Sequence, residues 1–239
     1  MDSTTIADMN NRYISFMRWS AIARHHPSAL LLAAQLMSLV LYVAFEGVPS
    51  GRFLLGAFGM LVLLLVVWVV VRSPAITWIA WIIAATAVLL SLLSWLFVNP
   101  TLLIWSELLE AALYLYGAGG LIAYMMGDDQ VTTDDLFAAG ATFTLIAWGF
   151  AYLYLVCQAW SPGAFVGGAY PQEPLTFIKL LYLSFSNLSA TGLSDIVPIT
   201  PPSRVLVMLE QFAGVAYIAV VVCRLIGLTI VRHKGNRIS

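Results

Sequence analysis

Six runs of mostly apolar residues, separated by a few turn-forming ones, set what this chain can fold into. They lie at about 29–47, 53–72, 75–97, 101–126, 136–160 and 203–231. A helix needs roughly 20 apolar residues to cross a bilayer, so each run is a candidate span. The separators GVPSGR, RSP, NPT and GDDQVTTDD are short and carry turn chemistry. A seventh apolar stretch, LTFIKLLYLSFSNLS at about 175–189, is too short to cross and reads as a re-entrant helix. Composition closes off the soluble alternative. The chain is 61% hydrophobic and 10% charged, against about half and about a quarter for an ordinary globular chain. A net charge of -1 offers no basic field to nucleic acid. The expected fold class is therefore an all-α membrane protein with six transmembrane helices and one short helix that dips in and returns.

Lysine and arginine set the orientation. Arg12, Arg18 and Arg24 precede the first run, Arg72 follows the second, and Arg232, Lys234 and Arg237 follow the last. An even number of spans puts both termini on one side, and the positive-inside rule makes that side cytoplasmic. The expected location is the plasma (inner) membrane, multi-pass. Cys157 and Cys223 fall inside apolar runs and read as packing residues.

After the short helix comes SATGLSD, residues 189–195, seven small or polar residues in a greasy setting. Non-helical backbone survives at membrane depth only where protein buries it or a wet cavity lines it. Four copies of such a loop around an axis would turn carbonyl oxygens inward to replace a cation's hydration shell. The short helix would aim its partly negative C-terminal end at the same place.

The passage YLSFSNLSATGLSDIVPITPPSRVLVMLEQFAGVAYIAVVVCRLIGL resembles the pore helix, filter and inner helix of bacterial potassium channels of the six-transmembrane, one-pore type. The residues that carry the resemblance are Tyr182, Ser184, Phe185 and Leu188, then Gly192, Asp195, Ile196 and Pro198, then Thr200, Pro201, Arg204, Arg224 and Leu225. It implies a homotetramer with one pore on the four-fold axis. It also implies a filter of Ser189, Ala190, Thr191, Gly192, Leu193 and Ser194, with a monovalent cation held at Ala190, Thr191, Gly192 and Leu193. Asp195 would sit at the outer mouth, as a ring of carboxylates that concentrates cations or as a hydrogen-bonding member of the loop. Tyr182 and Glu210 would support the filter, and Gly214 falls at the family's hinge glycine. The family filter reads TVGYG. Here one of its two glycines survives, Ser194 stands where a left-handed glycine is used, and Leu193 replaces a tyrosine that ties the filter to the pore helices.

On this reading residues 1–28 form a cytoplasmic N-terminal segment, 29–127 a four-helix transmembrane domain, 128–135 a cytoplasmic linker, 136–231 the pore domain and 232–239 a short cytoplasmic tail. Voltage-gated relatives carry repeated arginines in the fourth span. Here that span has none and holds Glu107 and Glu110, three apart on one helical face. The expected voltage dependence is weak or absent. The two carboxylates read either as a sensor of cations or external pH, or as residues hydrogen-bonded near the headgroups. His25 and His26 flank the first span on the inner side and read as an interfacial pair or an internal pH sensor.

No catalytic constellation, metal-ligand cluster or phosphate-binding loop stands out, so an enzyme is not expected and no cofactor is called for. The expected partners are membrane lipids, monovalent cations and further copies of the chain, with no nucleic acid. The expected function is passive cation conduction, with K+ as the permeant ion. A nonselective or Na+-conducting pore is the first alternative, and a nonconducting sensor or scaffold on the same fold is the second.

Overall fold

A computed structural model describes residues 27–45, 62, 64–68, 77–97, 99–127, 132–167, 174–224 and 226–227. The histidine pair, Glu46, Arg52, Asp128, Asp129, most of the second apolar run and the C-terminal tail lie outside the described residues. The elements are α1 (Pro27–Phe45), α2 (Thr77–Phe97), α3 (Pro100–Met126), α4 (Thr133–Trp160), β1 (Phe165–Gly167), α5 (Phe177–Leu188), β2 (Ile196–Pro198) and α6 (Pro201–Tyr217). α6 continues into a π turn, Ile218–Val222. Three helices among the described residues are long and apolar enough to cross a membrane: Pro100–Met126, Thr133–Trp160 and Pro201–Val222. The chain is a largely helical membrane protein.

Local chemistry fixes where the long helices begin. Asn99 caps α3 by accepting from Thr101 N at 3.0 Å, with Pro100 at the first helical position. A proline is tolerated there because its missing N–H would be unpaired anyway. Thr132 and Asp135 form a reciprocal capping box at α4: the Thr132 N–H donates to Asp135 Oδ2 at 2.7 Å, and Asp135 N donates to Thr132 Oγ1 at 3.3 Å. α4 therefore starts at Thr133, inside the stretch expected to be a linker up to 135. Asp134 and Asp135 are buried in its first turn, where the positive end of the helix favours carboxylates. Asp134 reaches across to α1, accepting from Ser28 Oγ at 2.9 Å and Ser28 N at 3.3 Å.

α4 is the element on which the rest is assembled. It packs against α1, α3, α5 and α6, while α2 packs on α3. Leu113, Tyr114 and Leu121 of α3 and Leu145, Ala147 and Tyr154 of α4 are buried in one continuous core that reaches Leu180 and Leu188 of α5. Val62, Val66 and Val67 join it from the second run. A polar contact also ties α1 to α4: Thr144 Oγ1 donates to Gln35 Oε1 at 2.6 Å, with both residues buried. In a lipid surround such cross-helix bonds hold helices whose apolar faces gain little by leaving the lipid. The outer faces are unsuited to water: Trp78, Trp81, Ile82, Leu89, Leu92 and Leu96 are all exposed along α2.

Among the described residues, the fold departs from all-α at one place that the sequence did not signal. Within the 161–174 separator, β1 pairs antiparallel with β2, in the register Phe165 with Pro198, Val166 with Val197 and Gly167 with Ile196. Ile199 N extends the pairing to Ala164 O at 2.8 Å. This ribbon anchors the segment that returns from the end of α5.

Candidate ion pathway

The short helix α5 is held at three levels. At its entry, Gln158 near the end of α4 accepts from Leu175 N at 2.9 Å and donates to Leu175 O at 3.1 Å. Midway, Ser184 Oγ lies 2.7 Å from Ala147 O of α4 and also bonds the carboxylate of Glu210 on α6. Glu210 is fully buried and accepts a second hydrogen bond from Tyr154 of α4. One carboxylate thus joins α4, α5 and α6, and its burial is tolerable because donors meet it from two sides. At its exit, Leu188 packs on Gly214 of α6 so closely that a Cβ there would stand 2.1 Å from Leu188 O.

α5 ends without a glycine cap. Ser189 N donates to Phe185 O at 3.0 Å, Ala190 N to Asn187 O at 3.0 Å, and Thr191 N to Ser186 O at 3.1 Å. The last two are the bonds of a left-handed helix cap, which puts one residue at positive φ and usually selects glycine. Here that residue is Ala190, at φ 58°. Gly192 follows at φ 64°. Ser194, expected at the left-handed glycine position, does not have positive φ; the left-handed residues of the loop are Ala190 and Gly192. The cap moves the strained conformation to the start of the loop, and the cost of roughly 1–2 kcal/mol falls on Ala190.

Ser186 organises the rest of the loop. Its carbonyl accepts from Gly192 N at 3.1 Å and from Thr191 Oγ1 at 3.2 Å, and its hydroxyl accepts from Ser194 N at 3.1 Å. Ser194 Oγ in turn accepts from Ile196 N at 3.1 Å, which leads the chain into β2. Ser189 and Thr191 hydroxyls meet at 3.0 Å. The tether expected to be absent with the filter tyrosine is present in reverse: Tyr182 of α5 donates its hydroxyl to Leu193 O at 2.9 Å. Leu193 itself is 77% exposed in the single chain. Asp195 is exposed beside it.

Residues 189–195 are thus gathered at the C-terminal end of α5, with Tyr182 alongside and Glu210 and Gly214 behind. α6 stays α-helical through Gly214, and the departure from α geometry comes later, at 218–222. The glycine has a packing reason, the Leu188 carbonyl, at the position assigned to a hinge. Glu107 and Glu110 are not part of this group. They lie half-buried on α3, where Ser106 Oγ donates to Glu110 Oε1 at 3.4 Å. Tyr114 of α3 stacks on Tyr152 of α4 at 5.6 Å just beyond them. Ser186 and Tyr154 were not singled out by sequence. The available signal for Ser186 was a helix that ends with no glycine at its cap, so that its last carbonyls need another arrangement.

Residues 140–230 match a family described as ion channel. The matched region runs from within α4 through α5, the loop and α6. It supports an ion channel in a membrane and indicates a channel, not an enzyme. No curated protein and no solved structure matches the chain.

Proposed function

We propose that this chain is one subunit of a homotetrameric cation channel of the potassium-channel type, which conducts passively through a central pore. The observation that carries this reading is the seating of α5 on α6. A 12-residue helix ends on a glycine-containing loop, and its last carbonyl lies against Gly214 of a spanning helix. Such a helix positions a loop at membrane depth without crossing, and the loop supplies backbone oxygens for a dehydrated cation. The ion channel match over the same residues supports it. The candidate ligands are Ser189, Ala190, Thr191, Gly192, Leu193 and Ser194, with Asp195 at the mouth. Membrane lipids surround the exposed apolar faces, both termini are cytoplasmic, and the membrane is the plasma (inner) membrane. α3 carries Glu107 and Glu110 and no arginine or lysine, so it lacks the ladder of gating charges that voltage sensing uses.

A second reading, relaxed selectivity with Na+ admitted, has its own support. The Leu193 carbonyl is engaged by Tyr182, and Ser194 is not left-handed. Both features set the outer half of the loop apart from a run of free carbonyls. The deciding experiment is flux from liposomes of the purified protein under opposed K+ and Na+ gradients. K+-selective flux upholds the first reading, and equal flux the second. Silence in the native protein, with flux from a variant carrying Leu193→Tyr and Ser194→Gly, makes the chain a nonconducting member of the fold.

A further inference from the structure

We propose that Tyr182 is a positioning residue that sets ion discrimination by holding the Leu193 carbonyl out of the ion path. The inference rests on the channel reading above in its second form, with relaxed selectivity, and concerns the outer end of the same loop. Four carbonyls in the loop are candidate cation ligands, at Ala190, Thr191, Gly192 and Leu193. Among the described residues, one of these accepts from a side-chain donor: Leu193 O takes the Tyr182 hydroxyl at 2.9 Å. The donor comes from the helix that precedes the loop, eleven residues back in the same chain.

The neighbouring bonds turn the segment the same way. Ser194 N, the other half of the peptide that carries Leu193 O, donates to the Ser186 hydroxyl at 3.1 Å on the same helix. Both polar ends of the 193–194 peptide are therefore tied to α5, at Tyr182 and Ser186. These two residues are four apart and so share a helix face. A peptide fixed at its N–H and its C=O does not rotate freely. Ser194 without positive φ is the backbone counterpart of that fixation.

The chemical consequence concerns the ring that would complete the outermost site. A carbonyl oxygen keeps a second lone pair when it accepts one hydrogen bond, but its direction is set by the donor, so a carbonyl held toward α5 is not free to turn to an ion. With Leu193 O held on α5 and Ser194 Oγ accepting from Ile196 N, the ligands left at the outer end are water and the Asp195 carboxylate. K+ and Na+ differ in how well they are served by a fixed ring of carbonyls; water and carboxylate adapt to either. The native loop should therefore discriminate weakly, and Tyr182 is the side chain that makes it so.

The test is the K+ to Na+ permeability ratio of the full-length chain in liposomes, native against Tyr182→Phe. Removing the hydroxyl keeps the ring and frees the carbonyl, and the ratio should rise about five-fold, the equivalent of one ordinary hydrogen bond. Tyr182→Trp keeps an aromatic ring with an N–H donor and should stay near the native ratio. A native ratio retained in Tyr182→Phe, with flux intact, overturns the proposal. No flux from the native protein or any variant overturns the channel reading instead. In that event thermal unfolding of the detergent-purified chain decides the role of Tyr182. A larger stabilisation by K+ over Na+ in Tyr182→Phe than in native protein upholds the inference, and equal stabilisation in the two proteins overturns it.

Discussion

The carbonyl oxygen of Leu188 occupies the space where a side chain on Gly214 would begin. A Cβ at 214 would stand 2.1 Å from that oxygen and 2.9 Å from its carbon. Both atoms are backbone at the end of α5, so no rotamer change relieves the overlap. Gly214→Ala should separate α5 from α6 and cost about 1–3 kcal/mol. Thermal unfolding in detergent measures this, with Gly119→Ala as the control. Gly119 has nothing within 4 Å of its built Cβ, so its substitution meets no neighbour. Flux should fall with Gly214→Ala and persist with Gly119→Ala.

Ala190 and Ser194 make opposite predictions from those suggested by the family pattern. Ala190 is left-handed at φ 58°, and Ser194 is not. Ala190→Gly should stabilise the protein by about 1 kcal/mol, because glycine adopts this conformation without the Cβ penalty. Ala190→Val should destabilise it, since a β-branched residue is the least suited to positive φ. Ser194→Gly should give no such gain. It removes the hydroxyl that accepts from Ile196 N at 3.1 Å, so its effect should be a loss of up to about 1 kcal/mol. Melting temperatures of the three variants in one detergent order them. A gain at 194 with none at 190 would reverse the assignment of strain.

The contrast marks what was legible in the sequence. The apolar runs gave the helices α3, α4 and α6, because helix length and hydropathy are read directly from consecutive residues. The short run ahead of SATGLSD gave α5 for the same reason. The return segment was less legible. Which residue of the loop is left-handed depends on which carbonyls of α5 accept from it, and the carbonyls of Phe185, Ser186 and Asn187 are all used. That pattern has no local signature when glycine is missing from the cap. The β1–β2 ribbon was hidden because its two strands are three residues each and about thirty apart, too short to show alternation. The early end of the acidic linker was hidden because Thr132 and Asp135 look like loop residues until they pair as a cap. Glu210 was legible as a carboxylate in a span, but its partner Tyr154 was not, since a tyrosine in an apolar run needs no special reason.

Glu210 should be more costly to remove than to neutralise. It is fully buried and receives the hydroxyls of Tyr154 and Ser184. Ser184 has a second acceptor nearby in Ala147 O, at 2.7 Å. Glu210→Ala strands the buried Tyr154 hydroxyl and opens a cavity, at a cost of about 3 kcal/mol. Glu210→Gln keeps an acceptor in place and should cost about 1 kcal/mol. The partner is separated by a double-mutant cycle on unfolding. Tyr154→Phe should cost about 1 kcal/mol in the native background and should instead recover stability in Glu210→Ala, where it removes the stranded hydroxyl. Equal costs in both backgrounds would mean that the two side chains do not act as a pair.

Arg224, just past the π turn that continues α6, is bonded to the C-terminal end of α3. Its Nη2 donates to Met126 O at 2.9 Å, and Met126 is the last residue of α3. A helix C-terminus leaves its final carbonyls unpaired and partly negative, so a guanidinium there satisfies an orphan acceptor and its charge together. The bond falls just past the π turn at 218–222, where the chain has returned to α geometry at 223–224. Arg224→Ala should cost about 1.5 kcal/mol, the lower end for a hydrogen bond to a charged group. Arg224→Lys keeps the charge and one donor and should recover about half of that. Two measurements check it together. Thermal unfolding gives the size, and amide exchange gives the place: protection should fall at residues 226–227 and in the last turn of α3, and stay unchanged in α5. Faster exchange spread evenly over the chain would show that Arg224 supports general stability and not this one junction between α3 and the inner helix.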